Sequence, residues 1–198
     1  MFKNINQGIL MPWPSDQRDK TRMKILESAA RLFALQSFEQ VSIDDLMADA
    51  GLTRGAFYHH FQTKAEIYAE AIRYAFKAGS ARMEELGANG LGTLVDGYLQ
   101  LSHTEGESMQ CPLAFMATDV TRREPAIRHV YSTALQSFVR RLEASFEASS
   151  AENRQRALQI AIALIGGVAL ARSIDDPQFA EEILAACRSD CHGLLVAG

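Results

Sequence analysis

The sequence lacks any run of the roughly 18 apolar residues that a membrane-crossing helix needs, and its start lacks the apolar core of a secretory signal. A soluble cytoplasmic protein is the expectation. Cysteine is scarce and odd in number, with only Cys111, Cys187 and Cys191. That excludes a disulfide framework and points to reduced thiols. No strand signal appears anywhere along the chain. The common catalytic signatures are missing as well: no nucleophile elbow, no phosphate-binding loop, no GxGxxG and no His-Glu-x-x-His. His59 and His60 are neighbours, so on a helix they diverge by about 100° and cannot act as an i, i+4 metal pair. Cys187 and Cys191 are spaced i, i+4 and His192 follows, but no further ligand is in view, so thiols on a packing face are expected there. No enzyme activity, no cofactor and no metal are therefore expected.

A positive charge surplus is absent too. The net charge is −4, and residues 1–75 hold nine Lys/Arg against nine Asp/Glu. Residues 76–198 hold eleven against fifteen, so the acidic surplus lies wholly in the second part. Charge by itself does not argue for nucleic-acid binding. It does leave the first part neutral, suited to a few placed contacts and not to a strong non-specific field. Otherwise the balance of 47% hydrophobic and 22% charged residues is that of a globular chain with a sizeable core.

What is present centres on residues 42–61. Ser42 with Asp45 forms a capping box at a helix start, Leu46 and Met47 face inward, and Gly51 stands where that helix must stop in a left-handed conformation. Thr53 is placed to cap a second helix that buries Phe57 and Phe61, spaced i, i+4. Two short helices across a glycine turn read as a helix-turn-helix, whose second helix enters the DNA major groove. Gly55 permits close backbone approach. Arg54, Tyr58, His59 and Lys64 group hydrogen-bond donors at one end of the unit, as phosphate positioning requires.

Upstream, residues 1–17 read as a flexible arm. From about Asp19 to Gln36, Ile25, Leu26, Ala29, Leu32 and Phe33 follow helical periodicity, and this helix completes a three-helix head. Thr63 opens a long helix to about Leu86, with Lys64 in a first turn where a cation opposes the helix dipole unless a phosphate binds there. The Gly79–Gly92 region reads as the loop between head and body.

The run Thr21-Arg22-x-x-Ile25-Leu26-x-x-Ala29, then Leu32-Phe33, Phe38, Val41-Ser42-Ile43, Ala50-Gly51-Leu52, Gly55-Ala56-Phe57-Tyr58-x-x-Phe61 and Lys64, resembles the DNA-binding domain of the TetR/AcrR family of bacterial repressors. The likeness covers about residues 20 to 68. It implies an all-α fold of about nine helices, with a helix-turn-helix head at 18–66 and a ligand-binding and dimerisation body at 67–198. It further implies DNA contacts from Thr21, Arg22, Ser42, Thr53, Arg54, Gly55, Ala56, Tyr58, His59 and Lys64. Thr21, Arg22, Tyr58 and Lys64 would act on phosphates, and Arg54, Ala56 and His59 on base edges. The function implied is that of a dimeric repressor on a palindromic operator, released by a small-molecule effector.

The body reads as helix throughout. Leu91, Leu94, Val95, Tyr98 and Leu101 mark one helix, and Pro112 and Pro125 start two more, the second running to about Ala148. A helix over about Asn153–Arg172 is apolar on nearly every face, which suits burial on two sides, core and second subunit. Asp176-Pro177 opens the last, with Phe179, Ile183, Cys187 and Leu194 as its inner stripe. Tyr98, Leu101, His103, Phe115, Met116, Asp119, Tyr131, Leu135, Phe138 and Ile165 form a candidate pocket for an apolar or aromatic effector. Ile162, Gly166, Gly167, Leu170, Ile183, Cys187 and Leu194 are the candidate dimer interface. Cys111, beside a helix start, is a candidate redox or electrophile sensor. A small-molecule-binding helical protein without operator specificity and a DNA-architectural protein are the competing classes.

Overall fold

The computed structural model describes residues 15–86, 90–100, 112–146 and 151–196. Within them there are nine α-helices, one 3-10 turn and no strand. The helices are α1 (Ser15–Leu35), α2 (Ile43–Asp49), α3 (Arg54–Phe57), α4 (Lys64–Leu86), α5 (Leu91–Tyr98), α6 (Pro112–Phe115), α7 (Pro125–Ala144), α8 (Ala151–Ala171) and α9 (Pro177–Val196), with the 3-10 turn at Val120–Arg122 between α6 and α7. Leu101, His103 and Cys111 lie outside the described residues, as does most of the 1–17 arm.

The local rules act where expected in the head. The Asp45 amide donates to Ser42 Oγ at 3.1 Å and the Ser42 amide to Asp45 Oδ2 at 2.8 Å, closing the capping box. Gly51 has φ +66°, and the amides of Leu52 and Gly51 donate back to the carbonyls of Met47 (2.8 Å) and Ala48 (3.1 Å). This is the paired C-terminal closure that favours glycine. At Thr53 the expectation fails in part. Its backbone is extended, but its hydroxyl makes no capping bond. At the start of α4, Thr63 Oγ1 accepts the Glu66 amide (3.0 Å), and Glu66 reaches back to the Gln62 amide (2.7 Å).

Two boundaries move. Helix α1 begins at Ser15, ahead of the expected Asp19, and α4 runs straight through Gly79, which is part of a helix and not of a loop. Helix α4 is the spine: it packs along α1 in the head and along α5, α6 and α7 in the body. The buried side chains form one continuous core, from Phe57 and Phe61 through Tyr68 and Ile72 of α4 to Leu113, Phe138 and Leu164. Head and body therefore share packing instead of meeting across a polar seam.

Helix α8 buries Ala157, Ile160, Ala161, Leu164, Gly167, Val168 and Ala171 against α6, α7 and α9. Its other face leaves Ile162 69% and Leu170 58% exposed, beside Leu158. The two-sided character read from the sequence is therefore present. On α9 the inner stripe is met in part: Cys187 and Leu194 pack against the core, Ala180, Leu184 and Cys191 are buried, and Phe179 is 51% exposed. Gly167 lets Cys187 come close. A Cβ there would lie 2.9 Å from Cys187 Sγ and 3.2 Å from Leu99, so the absent side chain lets α9 close onto α8. Gly167, buried in this contact, and Cys187 thus meet inside one chain. Gly166, with nothing within 4 Å of its Cβ position, stays on the open face.

Candidate nucleic-acid interface

Helices α2 and α3 are locked from below by Leu46, Met47, Phe57 and Phe61, each at most 1% exposed. Phe57 and Phe61 pack at a tilt, 5.7 Å between ring centres. Each of these side chains contributes roughly 1.5–3 kcal/mol by burial, which holds the two short helices rigid although α3 is a single turn. Hydrogen-bonded turns carry the chain on from Phe57 to Phe61. Above this base Thr53, Arg54, Gly55, Tyr58 and His59 are all exposed, and Ala56 is half-buried. The nearest atom to a Cβ at Gly55 would be Thr53 Oγ1, at 4.0 Å. The protein itself therefore does not need glycine at that position; a surface approaching from outside would.

Charged partners decide which donors point outward. Arg54 Nη1 bonds Asp44 Oδ2 at 2.5 Å across the turn, with both side chains well exposed. The Tyr58 hydroxyl and Asp44 hold the Arg54 guanidinium more firmly protonated than a free one. Arg22 is tied to α4. Its Nη2 bonds Glu70 Oε2 of α4 at 3.1 Å, and its guanidinium lies 4.9 Å over the Phe61 ring. Thr21 returns its hydroxyl proton to the Gln17 carbonyl at 2.9 Å. Ser42 is occupied in its capping box. Of the expected contact set, Thr53, Arg54, Gly55, Tyr58 and His59 thus form the exposed row, with Arg54 paired to Asp44 within it, while Thr21, Arg22 and Ser42 are bonded to neighbouring parts of the chain.

Lys64 is also engaged. Its Nζ sits 4.4 Å over the Phe38 ring, an arrangement favourable for a cation. Burial first, then nearby Arg123, lower its pKa, while Glu39, Asp119 and Asp45 oppose them. His60 is half-buried against the head. Its Nδ1 is buried and, among the described residues, unpartnered; burial and then the charges of Arg18 and Arg22 lower its pKa.

A group that sequence reasoning misplaced is Asp119. Expected to orient a ligand, it instead joins body to head. Its Oδ2 accepts the Tyr68 hydroxyl at 2.7 Å and the Phe38 amide at 3.4 Å. Its Oδ1 lies 3.8 Å from Arg123, which also pairs with Glu39 and stacks 4.5 Å over Phe38. A second joint went unread. Arg172, just past α8, donates to the Ala34 carbonyl in the last turn of α1 (3.1 Å) and lies 3.9 Å over Phe115. A cation suits that negative helix end.

The remaining pocket candidates gather in the body core. Tyr98, Phe115, Met116 and Phe138 are buried, and Tyr131, Leu135 and Ile165 line its edge. The Tyr131 hydroxyl donates to the Leu113 carbonyl at 2.5 Å. Among the described residues there is no cluster of His, Cys, Asp and Glu suited to a metal, and no helix is long and apolar enough to cross a membrane.

Comparison with known proteins bears on this architecture directly. Residues 25–71 match the family described as bacterial regulatory proteins, tetR family. The HTH-type transcriptional regulator AcrR of Shigella flexneri is 39% identical over 54 residues, 27% of this chain and 25% of that protein. The HTH-type transcriptional repressor AcnR of Corynebacterium glutamicum is 34% identical over 86 residues, 43% of this chain and 44% of that protein. The first three curated relatives are thus matched over only 24–32% of their own length. These relatives are regulators and not enzymes. A TetR-family regulator from Cytophaga hutchinsonii shares the fold over 91% of this chain and 98% of its own, with TM-score 0.72 at 18% identity. The reduced form of NemR from E. coli does so over 86% and 97%, with TM-score 0.70 at 18% identity. The head segment 25–71 thus matches the tetR family of bacterial regulatory proteins in sequence, and the chain shares the fold of solved regulators of that family.

Proposed function

We propose that the chain is a transcriptional repressor that binds a palindromic operator as a homodimer and is released by an apolar or aromatic small molecule. The observation that carries the reading is the row Arg54, Gly55, Tyr58 and His59, held exposed on a rigid two-helix base with no structural need for glycine at its centre. Side chains so placed suit the edges and phosphates of a major groove. The open apolar strip of Leu158, Ile162, Gly166 and Leu170 on α8, near Phe179 and Ile183 of α9, supports a two-fold interface between copies. Two copies would then present α3 at successive major grooves, about 34–36 Å apart. The aromatic core of the body supports an effector site, and α4 with the Asp119 joint is a route from it to the head.

Selection from a random duplex library tests this. A two-fold symmetric consensus is expected, and failure to enrich any sequence would refute the DNA-binding reading. Sedimentation tests the assembly: a dimer at micromolar concentration is expected, weakened by Ile162→Asp, and a stable monomer of the unaltered chain would refute it. Any effector must lower operator affinity by the same factor by which operator lowers effector affinity.

A further inference from the structure

We infer that Asp44, outside the expected contact set, is a specificity-determining positioning residue: it aims Arg54 at one base pair of the operator. The inference deepens the reading above and rests on α3 being the DNA-reading element.

Two adjacent acids open α2, and they divide their work. Asp45 turns back to the Ser42 amide and hydroxyl, at 2.8 and 2.6 Å, and closes the capping box. Asp44, one residue earlier, is not part of that box. It reaches ten residues forward to Nη1 of Arg54 at 2.5 Å. Both side chains are open to solvent, at 60% for Asp44 and 58% for Arg54. An ion pair this exposed contributes little to stability. Nor does Arg54 serve α3, because a cation at the first position of a helix faces the positive end of its dipole. The pair therefore needs another purpose.

Specific readout supplies one. An arginine carries considerable rotamer freedom, and binding to the two acceptors of a guanine edge demands one orientation of its planar fork. Asp44 takes one nitrogen of that fork. That single hold on a five-donor group leaves donors to spare and removes some of the freedom otherwise lost on binding. Gly55 beside it leaves room for the base edge. A carboxylate on a surface that meets phosphates weakens binding to DNA of any sequence. Its placement there trades general affinity for discrimination.

The test compares the unaltered chain with Arg54→Ala, Asp44→Asn and the double variant. Each is bound to the consensus duplex from the random-library selection, to single-pair substitutions of it, and to a scrambled duplex. Arg54→Ala should flatten preference at one pair per half-site, a loss of about tenfold. Asp44→Asn should flatten the same pair, lower consensus affinity, and raise affinity for the scrambled duplex. The double variant should match Arg54→Ala in base preference at that pair, since without the arginine the carboxylate has nothing to aim, while binding every duplex somewhat more tightly. A structural role alone would weaken both duplexes together. Circular dichroism confirms that each variant is folded. Preference at the Arg54 pair surviving Asp44→Asn overturns the proposal, as does an Arg54→Ala profile unchanged at every pair. Failure of the unaltered chain to enrich any sequence overturns the DNA reading itself, and the proposal with it.

Discussion

Tyr68→Phe isolates the bond that ties head to body. Tyr68 is fully buried, so the substitution keeps the ring packed edge-on against Phe33 and Phe38 and opens no cavity. Only the hydroxyl that donates to Asp119 at 2.7 Å is lost. A hydrogen bond to a charged group contributes about 1.5–3 kcal/mol. Asp119 keeps the Phe38 amide, Arg123 and 13% side-chain exposure, which favours the lower part of that range. With a urea m-value of roughly 2–3 kcal/mol per molar, the midpoint should fall by about 0.5–1 M with m unchanged. A cycle with Asp119→Ala should give a coupling of about 1–2 kcal/mol. Amide exchange separates the two arms: Asp119→Ala should speed exchange at the Phe38 amide, and Tyr68→Phe should affect it far less. Additivity within about 0.5 kcal/mol would refute the claim that this bond joins the two parts.

The neighbouring glycines of α8 should respond with opposite sign. Gly166→Ala should stabilise the chain by up to about 1 kcal/mol through helix propensity, whereas Gly167→Ala should destabilise it by about 1–2 kcal/mol because its Cβ meets Cys187 and Leu99; thermal unfolding of both decides it. His60 should make the head sensitive to acid. Its folded-state pKa lies below the ordinary 6.5, so the unfolded chain protonates first. Stability is then full above that pH and declines as pH falls below it, until folded His60 protonates as well. Urea midpoints at pH 7.5 and 5 should converge in His60→Gln relative to the unaltered chain. Arg172→Lys should lose about 1 kcal/mol, since lysine cannot both stack on Phe115 and reach the Ala34 carbonyl in the same geometry. An unchanged midpoint would show that joint to be idle.

The head was legible in the sequence because its determinants are local. The capping box joins residues three apart, Gly51 answers a backbone conformation at a single position, and Phe57 and Phe61 lie one helical turn from each other. Each follows from rules that act within a few residues. The body helices were legible as helices, through their prolines and their periodicity. Which face of α8 points inward was not. A helix apolar on nearly all sides gives periodicity no preferred direction, so Gly166 and Gly167 read alike until the close approach of Cys187 separated them. The same ambiguity placed Phe179 inside. The polar joints were beyond local reasoning altogether. Arg22 meets Glu70, Tyr68 meets Asp119, and Arg172 meets Ala34 across 48, 51 and 138 residues of chain. A charged side chain in a sequence shows that it needs a partner, but only the packing of α1, α4 and the body chooses which one. The sequence alone thus determined a helix-turn-helix head of defined local shape, and the tertiary structure decided which of its charges are held against other parts of the chain and which stay on its exposed face.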